Sequence, residues 1–258
     1  MLTRRRTWLI VQACAGGTII EQMEIPDNTA FPQLWLGDYE VAWNFLQEAI
    51  PKLDASYDLF IGLAGVARWC LDGPLEAVRT WKKGLKTDYT VGGAGGVRMP
   101  ILLLAAAFLR PELQTLGPAK QAFNEARKVL NIRVEKPRAK MYWPGPLGRY
   151  MLGQNNTAAL REIATEPEYP RETPINHYQT DFYEGVVELS QGHRDRFAEL
   201  MQRMVARVEQ NTADPKIFPS YLRMEEFFIA RHELYRLRGV PDTGPGATGP
   251  IPHPGSQP

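Results

Sequence analysis

Apolar side chains recur along this chain at intervals of three and four residues, and two-residue alternation is absent, so the pattern predicts helices nearly throughout. The clearest run follows Gly192. There Phe197, Leu200, Met201, Met204, Val205 and Val208 form one stripe, with Arg194, Arg203 and Arg207 outside it. Trp35, Tyr39, Trp43, Leu46 and Ile50 repeat the spacing, as do Leu75, Val78, Trp81 and Leu85, and then Phe123, Ala126 and Leu130. Met99 to Leu109 is apolar on every side. At well under the ~20 residues that a bilayer requires, it reads as a buried core helix. Prolines such as Pro51, Pro74, Pro100, Pro118, Pro174 and Pro219 punctuate these segments at boundary or first-turn positions.

Glycine-led turns recur at Gly37, Gly73, Gly117, Gly153 and Gly192, each between two helical patterns. Their spacing is close to the ~34–47 residues of helical-hairpin repeats. Glycine suits such a turn because a left-handed cap is cheap only without Cβ. Small residues follow where two helices must approach: Ala42 and Ala49, Ala77 and Gly84, Ala119 and Ala126. The expected fold is therefore all-α, an irregular stack of helical hairpins forming a short solenoid of about ten to twelve helices. Residues 1–6 are a basic N-terminal segment, 7–238 the single helical domain, and 239–258 a disordered tail. That tail holds five Gly and six Pro in twenty positions and has almost nothing apolar to bury.

Composition narrows the function. The chain has 258 residues, 44% of them hydrophobic, enough for a sizeable core. Lys+Arg total 30 against 29 Asp+Glu, a formal charge of +1, so no global field recommends a nucleic-acid or membrane-surface partner. Any such role needs a local patch. Cys14 and Cys70 form no CxxC pair, which argues against a disulfide framework or zinc knuckle and for a reducing, cytoplasmic setting. Arg4, Arg5 and Arg6 followed by Trp8 to Val11 imitate an export signal. The apolar run breaks at Gln12, however, and Val11-Gln12-Ala13 fits a lipoprotein site before Cys14 only loosely.

Motifs for chemistry are sparse. The loop Gly92-Gly93-Ala94-Gly95-Gly96 lacks the Gly-Lys-Ser/Thr ending of a P-loop and follows no strand, so a connection between hairpins is the simpler reading. His232-Glu233 lacks the second histidine of a zinc HExxH motif, and no Gly-x-Ser-x-Gly elbow occurs. No cofactor is implied. His177, Asp181, Glu184 and Glu188 share one helix face, the donor types a divalent metal takes, and a metal-dependent enzyme built on them is one alternative function. One helix cannot enclose an ion, because residues seven and eleven apart lie ~10–16 Å apart along the axis. Tyr178, Phe182, Gly185 and Leu189 form the better core stripe, which leaves the acidic row bordering solvent.

From Arg161 to Glu188 the acids Glu162, Glu166, Glu168, Glu172, Asp181, Glu184 and Glu188 face only Arg161 and Arg171. Tyr169, Tyr178 and Tyr183 are interleaved. Aromatic anchors among acids suit a basic protein partner, and Glu168, Tyr169, Glu172, Tyr178, Asp181, Tyr183, Glu184 and Glu188 form the candidate interface. The alternatives are a solvated helix face, or pairing within the fold with Arg194, Arg196, Arg203 and Arg207 of the next helix.

Gly37-Asp38-Tyr39-Glu40-Val41-Ala42, with Leu46 and Ala49 beyond, resembles the turn and second helix of a tetratricopeptide repeat, and Gly117 with Ala119, Phe123 and Ala126 is a weaker match. That resemblance implies an adaptor that takes a peptide in a concave groove. The order from Ala158-Ala159-Leu160-Arg161-Glu162-Ile163 through a Pro/Glu-rich loop, Tyr178 to Leu189, Gly192 and a long amphipathic helix resembles the all-α immunity proteins of bacterial polymorphic toxin systems, of the immunity protein 49 type. It implies a non-enzymatic intracellular antidote that binds and blocks a cognate toxin.

Overall fold

The computed structural model describes residues 30–52, 58–71, 73–86, 96–165, 173–211 and 225–239. The basic segment 1–6, the export-like run, all but the first residue of the tail, Gly92 to Gly95, and Glu168, Tyr169 and Glu172 lie outside them. The described residues are helical, with no strand among them. The first helices are α1 (Ala30–Leu36), α2 (Tyr39–Ala49), α3 (Asp58–Leu71) and α4 (Pro74–Lys83). Then come α5 (Arg98–Leu109), α6 (Gly117–Arg133), α7 (Pro137–Met141) and α8 (Gly145–Met151). The last are α9 (Thr157–Thr165), α10 (Thr173–Ser190), α11 (Arg194–Asn211) and α12 (Glu225–Arg238).

Local chemistry explains most boundaries. Gly37 at φ 80° ends α1, with its amide donating to the Leu34 carbonyl at 3.2 Å, and Asp38 caps α2 by accepting from the Val41 amide at 3.4 Å. The stripe from Trp35 to Ile50 is thereby cut in two, since Trp35 belongs to α1. Gly73, Gly153 and Gly192 also have positive φ. Gly117 does not. It sits in the first turn of α6 after the extended Leu116, so that turn works without a left-handed cap.

Neighbouring helices pair as hairpins, most closely α3 with α4 and α10 with α11, followed by α2 with α3 and α5 with α6. Glycines set how close they come. A Cβ on Gly65 would lie 1.9 Å from Trp81 Nε1, and that indole instead donates to the Gly62 carbonyl at 2.9 Å. Gly185 of α10 likewise lies under Met201 of α11. Every residue of the stripe from Phe197 to Val208 is buried, and α5 is buried nearly all round. No helix among the described residues is long and apolar enough to cross a membrane.

Other contacts join distant parts of the chain. α12 packs on α3, α10 and α11, and α5 packs on α10. Trp35 of α1 stacks on Phe227 of α12 with ring centroids 5.1 Å apart. A solenoid in which each unit touches only its neighbours has no such contacts. Here α12 is a central strut.

Candidate functional site

The acidic row lies on α10, and the structure corrects the expectation that it borders solvent. Asp181 and Glu184 are only 1% and 3% exposed, because arginines from α9 and α11 fold over them. Arg203 holds Asp181 through two bonds, Nε to Oδ2 at 2.8 Å and Nη2 to Oδ1 at 2.5 Å. Arg161 donates to Asp181 Oδ1 at 3.0 Å and also to Glu184, while Arg196 donates to Glu184 Oε1 at 3.0 Å. Arg207 stands 3.8 Å from Asp181. A charged row on one helix reads as a wet face until a neighbouring helix supplies matching guanidinium groups, and α11 carries them on the flank of its apolar stripe.

The rest of the expected interface divides in the same way. Tyr178 and Tyr183 are buried, so neither is an exposed anchor. Burial, and then the neighbouring Glu226 carboxylate, holds the Tyr183 hydroxyl well above its ordinary pKa. Glu188 remains at the rim, where it meets His193 Nδ1 at 2.6 Å.

The geometry also bears on the metal set. His177 is half-buried. Desolvation lowers its pKa, with Arg161 and Arg207 adding to the effect and Asp181 opposing it. The oxygens of Asp181 and Glu184 are engaged by guanidinium groups, so His177, Asp181, Glu184 and Glu188 do not converge on a common point. Among the described residues, no group of three or more His, Cys, Asp or Glu side chains is placed to hold a metal ion.

A second polar layer lies on α12, where the sequence pattern points to no site. Glu225, Glu226, Arg231 and Glu233 of α12 are all buried. Glu233 accepts from Trp69 Nε1 at 2.8 Å, Arg110 Nη2 at 2.5 Å and Arg236 Nε at 3.0 Å. Arg231 donates to the carbonyls of Leu34 at 2.7 Å and Trp35 at 2.8 Å, which ties α12 to the end of α1. Glu226 Oε1 accepts from the Tyr183 hydroxyl at 2.8 Å and from Gln179 Nε2 at 3.0 Å, and Gln179 accepts from Trp143 Nε1 at 2.6 Å. Glu225 pairs with Arg98, and burial pushes its carboxyl up to about 8 against the pull of that arginine, with Glu226 adding to the rise.

A protonated carboxyl of this kind is chemically a general acid, but it needs access to a substrate. Glu225 has none. It is 0% exposed, and its Oε1 fills the space that a Cβ on Gly62 would take. These groups fasten helices together. One signal for them was present in the sequence: Phe227, Phe228, Ile229 and Ala230 are consecutive and cover every side of a helix, so the charges beside them have no wet face to occupy.

Comparison of the chain with protein-family models, with curated proteins and with solved structures finds no match.

Proposed function

We propose that the protein is a non-enzymatic binding module that acts by occluding a protein partner, of the immunity-protein kind, with a bacterial toxin as the cognate target. One observation carries this reading: the side chains best suited to acid, base or metal work are spent on joints between helices, while large aliphatic groups stand on the outer surface. Asp181, Glu184, Glu226 and Glu233 each accept from side chains of other helices. Ile132, by contrast, is 68% exposed, and Leu237, Val41, Leu71 and Leu116 are exposed as well. Exposed aliphatic groups on a braced scaffold suit recognition more than turnover.

The helical hairpins with left-handed glycine turns at Gly37, Gly153 and Gly192 keep the local rhythm of a helical repeat, while α12 closes the scaffold across distant hairpins. A reducing cytoplasmic setting goes with two cysteines, Cys14 and Cys70, that lie far apart in sequence and form no CxxC pair. The test is genetic and direct. Products of the adjacent reading frames are expressed with and without this chain, scoring growth arrest, its relief and co-elution of a stoichiometric complex. Relief together with a complex is the expected result. Failure of every neighbouring product to arrest growth or to bind would overturn the antidote reading.

A further inference from the structure

The near-neutral total conceals a separation of charge. Between Gly117 and Tyr150, Lys and Arg outnumber Asp and Glu eight to two. Two of the cations turn inward. Arg133 donates to the carbonyls of Gly96 at 2.6 Å and Leu85 at 2.8 Å, and Arg149 to that of Ala139 at 3.2 Å. Both acids are neutralised, Glu125 by Lys82 at 3.6 Å and Glu135 by Lys140 at 2.7 Å. Lys120, Arg127, Lys128 and Arg138 stay exposed, joined by Lys83 at the end of α4 and Lys86 just beyond it, and none has an ion pair among the described residues.

These cations surround a shaped surface. Lys82 of α4 reaches across to Gln121 of α6 at 3.4 Å, beside an open groove of about 500 Å³ lined by Gly117, Lys120, Gln121, Asn124, Glu125 and Lys128. Ala119, Ala122, Phe123, Ala126 and Leu130 occupy the opposite, buried face of α6. Gln121, Glu125, Lys128 and Ile132 fall at i, i+4, i+7 and i+11, so the 68%-exposed Ile132 continues the groove stripe. Leu116, 41% exposed, marks the other end.

We infer that this face of α6, with the adjoining edge of α4, is the docking surface, and that it takes an acidic protein segment carrying aliphatic side chains among its Asp and Glu. The inference rests on the binding-module reading and names the partner's chemistry. Uncompensated cations bring an acidic segment to the face, and Ile132 and Leu116 give it apolar ground at both ends. The same features disfavour a nucleic acid. Single strands are gripped by stacking on aromatic rings, and the groove lining has none.

The experiment uses the full chain and two fluorescent probes of equal net charge, a peptide of alternating Glu/Asp and Leu and an oligouridylate, read by anisotropy in ~0.15 M salt. The peptide is expected to bind more tightly than the RNA. Lys120→Glu with Lys128→Glu should weaken it at least tenfold, Ile132→Asp should weaken it as well, and Arg194→Glu on α11 should change it less than twofold. Circular dichroism checks that each variant keeps its helices. No peptide binding, equal binding by the reversed variant, or tighter binding of RNA would overturn the inference. The two readings fail separately. A toxin still captured by the reversed variant sinks this location and leaves the antidote standing, whereas peptide capture without any toxin sinks the antidote and leaves the surface standing.

Discussion

Helices α5 and α12 are both buried on almost all sides, and they reach that state by opposite means. α5 is MPILLLAAAFL over nearly its whole length and needs only shape to be stable inside. α12 carries Glu225, Glu226, Arg231 and Glu233 into the interior, and each polar group there requires a particular partner on α1, α3, α5 or α10. Burial of apolar surface is non-directional, whereas burial of charge is tolerable only with placed donors and acceptors. Hence α5 supplies bulk stability, and α12 also fixes which distant segments meet.

The largest break in that comparison is expected from Glu233→Ala. It leaves Arg110 buried without its acid and should cost about 3–5 kcal/mol, measured by urea unfolding. A loss below about 1 kcal/mol would show that water reaches the joint. Leu103→Ala in α5 removes a fully buried side chain and should cost about 2–5 kcal/mol through lost transfer energy and a cavity. The two losses should differ in kind. Glu233→Ala should be partly rescued by Arg110→Met, while no second charge change should rescue Leu103→Ala.

Acidity sharpens the contrast further. The folded Glu225 carboxyl titrates at about 8, above its ordinary 4.5, so the folded state holds a proton that the unfolded state has released. Its contribution to stability is therefore fullest below 4.5 and is lost as pH rises toward 8. Glu225→Gln should gain on the parent by on the order of 4 kcal/mol between pH 5 and pH 8.5, seen in paired unfolding curves. A constant difference across that range would refute the assignment.

Smaller effects follow from packing and surface pairs. Gly65→Ala should cost about 1–3 kcal/mol by driving a methyl into Trp81, read as lost thermal stability with a shift in tryptophan emission. Glu76→Gln removes only the exposed pair with Arg79 and should change stability by less than about 0.5 kcal/mol. Together with the α5 and α12 variants, these two bound the scale from core to rim.

What could be read without coordinates was what periodicity encodes. The stripe Phe197, Leu200, Met201, Met204, Val205 and Val208, the buried run from Met99 to Leu109 and the Pro74 helix start all appear where spacing and local chemistry put them. For the α10 carboxylates spacing left two readings open, a wet face or pairing with the next helix, and the second is the one found, through Arg196, Arg203 and Arg207. Their row is as consistent with a wet face as with a buried one, and the choice belongs to arginines on two other helices. The cationic face of α4 and α6 was hidden for a related reason: a net charge sums over the whole chain, while a surface collects residues from separate segments.

By itself the amino-acid order determined the helices, their caps and their apolar stripes, because those arise between residues a few positions apart. Only tertiary structure decided that the last described helix is threaded among the first ones and that the acidic stretch of α10 faces inward. It also left the lysines of α6 outside. Those outcomes depend on which distant groups share space, and the energy of a charge is set by that company more than by its place in the chain.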